Sequence, residues 1–589
     1  MRPSAASVLL LAFAAALPAQ PPGRRSPIMR PLVMGRHWAA AAMHPLAVAA
    51  AEQIFQAGGN AFDAVVAGQA ALGVVIPASN GIGGDAMLLV WDAKARKAVS
   101  INAAGTAPRL ATIDWYKQHQ GGKLPVNEGL LAGTVPGVLD AWYLLLDRWG
   151  TRSFAEVLAP AIDLAANGYP LTRNQSEEER KRFEKYPTTV RVLFPEGRAL
   201  RAGELYRNPD LARTLRTLVD AEKKARRKGR HAALKAARDE FYKGSIARTM
   251  ARFSEENGGL FRYQDFASYS AKVEEPVWTD YRGYRVYKNP SANQGPSELM
   301  ALNILENYDL RAMGHNSAAY IHANVEALKL AFADREKYLG DMDFVQIPYE
   351  RLLSKAYARE RQALLDPEKA SLELRPGEAP GGPLDVTFGT SGDHEGDTSY
   401  IVVGDAARNL VSFIPSLHSG YGTRVVMADL GFSFNCRGDY FSLVEGHANA
   451  LAPGKRPRVT LQSTLVTRDG KPFLATGSPG GDDQCQRTIQ TLLNIVDFGM
   501  NLQQAIEAPR WSTRGFPSSP FPHTMYPGDL SVEDRIPEAV REALRRRGHK
   551  VRAAGPWSMN MTAAIQVHPE SGVLVAGADP RVSAYAVAW

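Results

Sequence analysis

The chain has 589 residues, of which 45% are apolar and 22% are charged, with a net charge of +8. This length is enough for several domains with sizeable cores. The composition is that of an ordinary globular protein, which excludes a wholly disordered, collagen-like or coiled-coil chain.

The N-terminus predicts export. Arg2 is followed by an apolar run from residue 5 to residue 17 and then by Pro18-Ala19-Gln20. This arrangement is typical of a secretory signal peptide, and the run is too short to cross a bilayer as a helix. We predict a signal peptide over residues 1–19 and a disordered leader over residues 20–33; the alternatives are an uncleaved anchor or a misassigned start. No later stretch has 18 continuous apolar residues, so the mature protein is predicted to lack a membrane span and to be secreted or periplasmic.

Helices and strands alternate from residue 34 onward. Residues 47–56 and 61–75 are predicted helices, and residues 86–91 a buried strand. Between the second helix and the strand lies a glycine-rich turn, Ser79-Asn80-Gly81-Ile82-Gly83-Gly84-Asp85. A helix precedes this turn and a strand follows it, which is the reverse of the order in nucleotide-binding motifs. We therefore interpret the glycines as a tight turn with close backbone approach.

Residues 139–340 are mostly helical by their spacing, for example over residues 320–338. Eight Lys or Arg lie between Lys223 and Arg238. Such a run can bind nucleic acid or a membrane surface. No groove-reading motif accompanies it, so we interpret it as a solvated helical surface segment and predict no nucleic-acid partner.

Residues 364–395 are polar and rich in Gly and Pro, which predicts a mobile loop. Beyond it the apolar period changes to two. Hairpins are predicted at residues 400–414, around residues 468–470 and around residues 569–572, and helices at residues 486–496 and 538–547. Consecutive strands that are covered by helices on their outer faces indicate a layered α/β sandwich.

Most catalytic signatures are absent from the sequence. There is no G-x-S-x-G elbow, no H-E-x-x-H and no paired C-x-x-C, and no metal or other cofactor is predicted. His44, His394 and His418 are interpreted as loop or structural residues. The two cysteines, Cys436 and Cys485, exclude a disulfide scaffold, but whether they form one bridge stays open.

After these exclusions, the remaining candidate for catalysis is the hydroxyl group of Thr398, where the polar loop meets the first predicted hairpin. A threonine that opens a strand is usually only a β-branched strand residue. If the chain were cut before Thr398, the same residue would carry a hydroxyl nucleophile and a free α-amine. With a reference pKa near 7.7–8.0, that amine can act as a general base at neutral pH.

Short motifs in order along the chain resemble the gamma-glutamyltranspeptidase family, whose members are N-terminal-nucleophile hydrolases. The matching stretches are residues 44–47, 58–61, 81–84, 281–284, 330–335, 477–481, 508–510 and 578–581. The resemblance implies an α/β (α+β) fold, a four-layer αββα sandwich made of two chains from one self-cleaved precursor. Cleavage between Asp397 and Thr398 would give a large subunit of residues 34–397 and a small subunit of residues 398–589.

The same resemblance implies roles for four residues. Thr398 would be the nucleophile of self-cleavage and of turnover. Gly480 and Gly481 would offer backbone N–H groups to the oxyanion, and the Ser416 hydroxyl would bond the nucleophile. Ser399, His418, Asp439, Tyr440, Arg437 and Thr460 are the predicted substrate-binding residues.

The sequence departs from the family at the residues that bind the α-carboxylate and the α-amine of the glutamyl group. Ala104 replaces the Arg that clamps the α-carboxylate, and Tyr440 replaces the Asp that binds the α-amine. A carboxylate-binding Ser pair of the family falls at Val459-Thr460, and Arg437 could supply a carboxylate contact from another position. Residues 435–443 resemble the family's acylase-like branch, which includes oxamate amidohydrolases and cephalosporin-acylase-like proteins.

The predicted activity is hydrolysis of a small amide, or transfer of its acyl group to an amine, through an acyl-enzyme on Thr398. A γ-glutamyl compound such as glutathione is the first substrate class that the family implies. The alternative is a non-glutamyl amidase of the oxamate or glutaryl/cephalosporin acylase type. A binding protein without turnover is a third hypothesis, opposed by the presence of Thr398, Ser416 and the Gly480-Gly481 pair.

Overall fold

The structure, a computed structural model, describes residues 28–175, 179–390 and 396–589. The predicted signal peptide, most of the predicted leader and His394 lie outside the described residues. The backbone N–H groups of Met29 and Arg30 donate to the Glu507 carboxylate at 2.6 and 3.0 Å. Residues 28–33 of the predicted disordered leader are therefore tied to the folded body.

Two seven-stranded antiparallel sheets form the centre of the molecule. In spatial order the first consists of β1 (Val33–Gly35), β20 (Leu574–Ala578), β19 (Ala563–Val567), β14 (Lys471–Gly477), β13 (Thr464–Arg468), β9 (Tyr284–Lys288) and β8 (Val277–Tyr281). The second consists of β21 (Tyr585–Ala588), β2 (Trp38–Ala42), β11 (Ile401–Asp405), β12 (Leu410–Ser416), β3 (Asp85–Asp92), β4 (Lys97–Ala103) and β7 (Lys272–Glu274). The three predicted hairpins correspond to β11–β12, β13–β14 and β19–β20.

Within the described residues, seven further strands lie outside these sheets: β5 (Tyr169–Pro170) with β6 (Leu205–Tyr206), β10 (Thr387–Phe388) with β16 (Thr524–Met525), and β15 (Trp511–Thr513), β17 (Asp529–Glu533) and β18 (Lys550–Ala554) together.

Helices before residue 268 cover the outer face of the second sheet. Except for α3, which packs in a small separate cluster, they share one apolar core with that sheet. They are α1 (Pro45–Gln56), α2 (Ala61–Val75), α3 (Ile113–His119), α4 (Val138–Arg148), α5 (Phe154–Val157), α6 (Ala159–Asn167), α7 (Pro187–Leu193), α8 (Pro209–Ala225), α9 (Arg230–Tyr242), α10 (Ser245–Glu256) and α11 (Tyr263–Ala267). Helix α2 is buried along its whole length, and a capping box between Asn60 and Asp63 fixes its start.

Later helices cover the first sheet and share a second apolar core with it. They are α12 (Pro296–Leu305), α13 (Leu310–Met313), α14 (Ala318–Tyr338), α15 (Tyr349–Leu352), α16 (Lys355–Gln362), α17 (Asp483–Val496), α18 (Leu502–Glu507) and α19 (Glu538–Arg546). A third core, which includes Leu89, Leu465 and Ile565, joins the facing sides of the two sheets. The two sheets face each other, and a layer of helices covers the outer side of each. The predicted four-layer αββα sandwich is therefore confirmed.

Both sheets contain strands from before and from after residue 398. In the second sheet, β2 lies between β21 and β11, and β12 pairs with β3. In the first sheet, β1 pairs with β20, and β13 pairs with β9. Neither segment of the chain forms either sheet alone.

The polar segment before Thr398 is more tightly held than its composition predicts. The Gly377 N–H donates to the Asp334 carboxylate at 2.7 Å, and the Ser442 hydroxyl donates to the Asp385 carboxylate at 2.6 Å. Strand β10 pairs with β16. Residues 364–390 are therefore anchored at several points to groups far away in sequence, which the composition of this predicted mobile loop does not indicate.

The basic run lies on the end of α8 and on α9, most of it exposed. One member is different, because the buried Arg238 guanidinium pairs with Asp140. None of the helices within the described residues has the length and apolar character needed to cross a bilayer.

Candidate active site

Thr398 lies three residues before the start of β11, and it is buried. Strand β12 runs antiparallel to β11, so the end of β12 returns to the start of β11. The Ser399 N–H donates to the Pro415 carbonyl at 3.1 Å and closes this end of the hairpin. As a result, the Thr398 Oγ1 and the Ser416 Oγ lie 3.1 Å apart.

The Ser416 hydroxyl connects three groups. It donates its proton to the Asp397 carbonyl oxygen at 2.8 Å and accepts from the His418 backbone N–H at 2.7 Å. Because a serine hydroxyl has only one proton, the Thr398 hydroxyl is the donor in the contact between the two side chains. The nucleophile candidate and the carbonyl of the Asp397–Thr398 peptide bond are thus held by the same hydroxyl group.

Asp397 is held from two sides. The Ser79 hydroxyl donates to the Asp397 carboxyl oxygen at 2.5 Å, and the Asp397 N–H donates to the His418 carbonyl at 2.5 Å. Burial raises the pKa of the Asp397 carboxyl group. Ser79 belongs to the glycine-rich turn, to which the sequence assigns only a structural role, so this partner of the junction was missed.

Gly480 and Gly481 form the turn between β14 and α17. Their φ angles are +99° and +56°, a region that favours glycine. A Cβ on Gly480 would lie 2.8 Å from an Arg487 guanidinium nitrogen. Among the described residues, no acceptor bonds to either glycine N–H, so both are free to serve as donors at the start of helix α17.

Gly396 brings the uncut chain against this turn. A Cβ built on Gly396 would lie 2.8 Å from the Gly481 nitrogen. On the other side, the Gln294 amide donates to the Gly481 carbonyl at 3.1 Å and to the Thr460 carbonyl at 2.8 Å. The residues just before Thr398 therefore occupy the space in front of the candidate oxyanion donors.

Predicted substrate-binding residues form one buried network beside Ser416. The Tyr440 hydroxyl lies 3.0 Å from His418 Nδ1 and 3.2 Å from the Thr460 hydroxyl. An Arg437 Nη1 donates to the Tyr440 hydroxyl at 2.9 Å, and His418 Nε2 lies 3.1 Å from an Asp439 carboxylate oxygen. All five side chains are buried in the uncut chain.

Arg437 and Asp85 each keep one buried polar atom unused. Arg437 Nε donates to Asp85 Oδ1 at 3.3 Å, whereas Arg437 Nη2 and Asp85 Oδ2 have no hydrogen-bond partner among the described residues. Asp85 lies opposite Ser416 in the β3–β12 ladder, which places the pair beside the nucleophile candidate. Burial raises the pKa of Asp85, and the Arg437 charge opposes that rise. Asp85 was missed because its partners are remote in sequence.

Ser399 and Tyr400 point away from this network. The Ser399 hydroxyl contacts the Pro415 carbonyl at 3.4 Å, and the Tyr400 hydroxyl lies 2.7 Å from the Ser412 hydroxyl. Among the described residues, Ser399 has no hydrogen bond to Arg437, and its role in substrate binding stays a prediction.

Both cysteines are buried free thiols and do not form a disulfide. Cys436 lies near His418 and Asp439, with one potential ligand atom of each residue within 4.8 Å of the others. Burial and the neighbouring Asp439 carboxylate raise the pKa of the Cys436 thiol well above its usual value.

Comparison with known proteins identifies the family. Residues 47–589 match the gamma-glutamyltranspeptidase family model. The glutathione hydrolase-like YwrD proenzyme of Bacillus subtilis (strain 168) is 36% identical over 95% of this chain and 100% of its own length. The acylase ACY 1 proenzyme of Pseudomonas sp. (strain SE83) is 35% identical over 86% of each chain.

A solved structure extends this agreement to the fold. The cephalosporin acylase from Bacillus halodurans superposes with a TM-score of 0.84 and 32% identity, over 97% of this chain and 99% of that one. These findings confirm the resemblance seen in the sequence motifs. The chain belongs to the gamma-glutamyltranspeptidase family.

Proposed function

We propose that the chain is a precursor that cuts itself between Asp397 and Thr398 and then acts as an amide hydrolase or acyltransferase. The observation that carries the proposal is the shared hydroxyl contact, in which Ser416 bonds both the Thr398 hydroxyl and the Asp397 carbonyl. Proenzyme relatives support processing into two subunits. The subunits would be residues 34–397 and 398–589.

Self-cleavage needs only groups that meet at this junction and one water molecule. The Thr398 oxygen attacks the Asp397 carbonyl carbon, while the Ser416 O–H stabilises the charge that develops on the carbonyl oxygen. The C–N bond then breaks, and the Thr398 nitrogen takes up the proton that the hydroxyl loses. Water hydrolyses the resulting ester, which restores the hydroxyl and leaves Asp397 as a new C-terminus.

Turnover would use the amine that cleavage releases. The α-amine of Thr398 serves as the general base, and the hydroxyl forms an acyl-enzyme with the substrate. Departure of residues 396–397 would expose the N–H groups of Gly480 and Gly481 to the substrate oxyanion. Water or an acceptor amine then removes the acyl group.

The acyl group is proposed to carry a carboxylate. Arg437 offers an unused guanidinium nitrogen in a buried site, with the hydroxyls of Tyr440 and Thr460 beside it. A guanidinium binds carboxylate strongly in such surroundings. γ-Glutamyl, glutaryl and oxamate amides all have this group, and the glutathione hydrolase-like relative puts γ-glutamyl compounds first.

A glutaryl amide or oxamate is the second candidate substrate, and the residues at positions 440 and 104 favour it. Tyr440 occupies the position expected to bind an α-amine, and its hydroxyl already contacts His418 and Thr460. Ala104 is buried and has no charge with which to clamp a carboxylate. The apolar run over residues 5–17 supports export to the periplasm or the medium, which we include in the proposal.

Hydrolysis of matched p-nitroanilides tests the carboxylate requirement. The γ-glutamyl and glutaryl compounds are expected to exceed pentanoyl-p-nitroanilide by about 10²-fold in kcat/KM, because the pentanoyl chain has no carboxylate to bond the unused Arg437 Nη2. Release of p-nitroaniline gives the rates. A γ-glutamyl rate well above the glutaryl rate would select the first candidate, and the reverse would select the second.

Two outcomes would contradict the proposal. Equal rates for glutaryl and pentanoyl substrates would mean that Arg437 does not bind the acyl carboxylate. A processed protein without activity on any amide would support the hypothesis of a binding protein. An Arg437→Lys variant is the matched control, since it keeps the charge but loses the guanidinium nitrogen that is unused in the uncut chain.

A further inference from the structure

Arg487 lies one turn into α17, the helix that follows the Gly480-Gly481 turn. Side chains of an α-helix lean toward its N-terminus, so the Arg487 guanidinium reaches back over the start of the helix. There Nη1 donates to the Pro479 carbonyl, and Nη2 donates to the Asp483 carboxylate at 2.8 Å. The buried Arg487 side chain therefore ties the turn to the helix.

The stability of α17 alone does not call for an arginine at this place. The free N–H groups at a helix N-terminus carry partial positive charge, so a cation there is normally unfavourable. The Asp483 carboxylate offsets the charge of Arg487. What the guanidinium adds is its bond to the Pro479 carbonyl.

This bond fixes the orientation of one peptide plane. Among the described residues, the only cis peptide bond is Phe521–Pro522, so the Pro479–Gly480 bond is trans. In a planar trans peptide, the C=O and N–H groups point in opposite directions. Because the Pro479 carbonyl points to the guanidinium, the Gly480 N–H points away from it.

Within the described part of the chain, the other donor beside the Pro479 carbonyl is the Ser478 hydroxyl, at 3.1 Å. Its single proton has a nearer acceptor, the Met561 carbonyl at 2.7 Å. Arg487 is thus the group that holds the Pro479 carbonyl in place.

The next peptide plane does not need a side chain to hold it. The Asp483 N–H donates to the Gly480 carbonyl at 3.3 Å, which is a backbone contact of the first turn of α17. That contact fixes the plane to which the Gly481 N–H belongs. Of the two candidate oxyanion donors, only Gly480 therefore depends on a side chain for its direction.

Backbone geometry gives the first plane an accessible alternative. Gly480 has a φ angle of +99°. Turning the Pro479–Gly480 plane over would change this angle by about 180°, to roughly −80°, which is a region that any residue adopts. The turned plane would present the carbonyl oxygen of Pro479, in place of an N–H group, to a substrate oxyanion.

We propose that Arg487 is a positioning residue for acyl transfer, which holds the Pro479–Gly480 peptide with its N–H group available to the oxyanion. Its positive charge on the carbonyl side also polarises the peptide, which strengthens the N–H as a donor. This inference rests on the proposed amide hydrolysis. Self-cleavage uses the Ser416 hydroxyl as its donor, so it is expected to proceed without Arg487.

Kinetics of an Arg487→Met variant test this role. Methionine fills similar space but has neither a charge nor an N–H donor. Self-cleavage is expected at close to the wild-type rate. In the processed variant, kcat for the p-nitroanilide substrate is expected to fall about 10²-fold with little change in KM, because the lost donor acts on the charge of the transition state.

Two milder variants give a graded control. Arg487→Lys keeps a charged donor and is expected to retain kcat within about tenfold of the wild-type value. Arg487→Gln keeps a donor without the charge, and its kcat is expected to lie between those of the Lys and Met variants. Equal kcat values for Arg487→Lys and Arg487→Gln would contradict the proposed polarisation.

A boronic acid analogue of the better substrate, with boron in place of the carbonyl carbon, separates positioning from folding. The Thr398 oxygen adds to boron, the proton of its hydroxyl passes to the α-amine, and the tetrahedral adduct places an oxygen where the oxyanion would form. Arg487→Met is expected to bind this compound about 10²-fold more weakly. A merely structural role would lower the fraction of protein that binds and leave the affinity unchanged.

The outcomes distinguish this inference from the proposed function. Equal kcat and equal boronate affinity in wild-type and Arg487→Met protein would overturn the inference and leave the proposed hydrolase intact. A parallel loss of self-cleavage and turnover would also overturn it, because Arg487 would then support the whole junction. A wild-type protein that is cleaved but neither hydrolyses amides nor binds the boronate would refute the proposed function, and this inference with it.

Discussion

A Thr398→Ala variant is expected to remain a single uncut chain and to show no amidase activity. Alanine has no hydroxyl to attack the Asp397 carbonyl, so the ester cannot form and the α-amine is never released. Loss of both the nucleophile and its base makes this the largest effect expected for any single substitution in the chain. Intact mass together with N-terminal sequencing measures cleavage, and p-nitroaniline release measures turnover.

Thr398→Ser is the matched control for this variant. Serine keeps the hydroxyl and, after cleavage, the amine, so two chains are still expected, one of them beginning at residue 398. Cutting of Thr398→Ala at the same bond would show that another group is the nucleophile. A wild-type chain that stays uncut after long incubation would remove the basis for the proposed amine base.

A Ser416→Ala variant is expected to slow self-cleavage by about 10²–10³-fold while the fold is kept. The variant removes the donor to the Asp397 carbonyl, and loss of one such donor at a developing oxyanion typically has an effect of this size. It also removes the acceptor of the His418 N–H. The rate is obtained from the appearance of the chain that begins at Thr398, and circular dichroism verifies folding.

Ser416→Thr separates the role of the hydroxyl from that of packing. Threonine suits a β-strand and retains the O–H, so cleavage within about tenfold of the wild-type rate is expected. If Ser416→Ala instead cleaved as fast as the wild-type chain, the contact with the Asp397 carbonyl would have no part in the reaction.

Local pattern was sufficient to predict the hairpin that builds the site. The change to a period of two after residue 400 places Thr398 just before one strand, and in the structure Ser416 ends the next. Antiparallel pairing then brings their side chains together. The roles assigned to the two hydroxyls, in contrast, came from resemblance to the family and not from periodicity, because a threonine at the start of a strand is common.

Long-range partners could not be predicted in this way. Ser79 contacts Asp397 across 318 residues, and Asp85 contacts Arg437 across 352 residues. Within the sequence, the glycines between Ser79 and Asp85 indicate only a tight turn. The turn contributes to the candidate site because β3 pairs with β12, which brings Asp85 opposite Ser416.

Composition also misjudged the segment before Thr398. Gly, Pro and charged residues are typical of mobile loops, but Gly377 bonds to the Asp334 side chain and Asp385 to the Ser442 side chain. The cost of ordering a polar segment is offset when each buried polar group finds a partner, and those partners do not show in the segment's own sequence.

The mixing of strands from both segments in each sheet also determines how long the two products stay together. After a cut at Thr398, separation would break the β1–β20, β13–β9, β21–β2, β2–β11 and β12–β3 ladders at once. Dilution would therefore not dissociate the two chains, and neither could be exchanged for a copy from another molecule without unfolding. The two chains of one precursor would therefore stay paired with each other, and damage to one of them could not be repaired by replacing that chain.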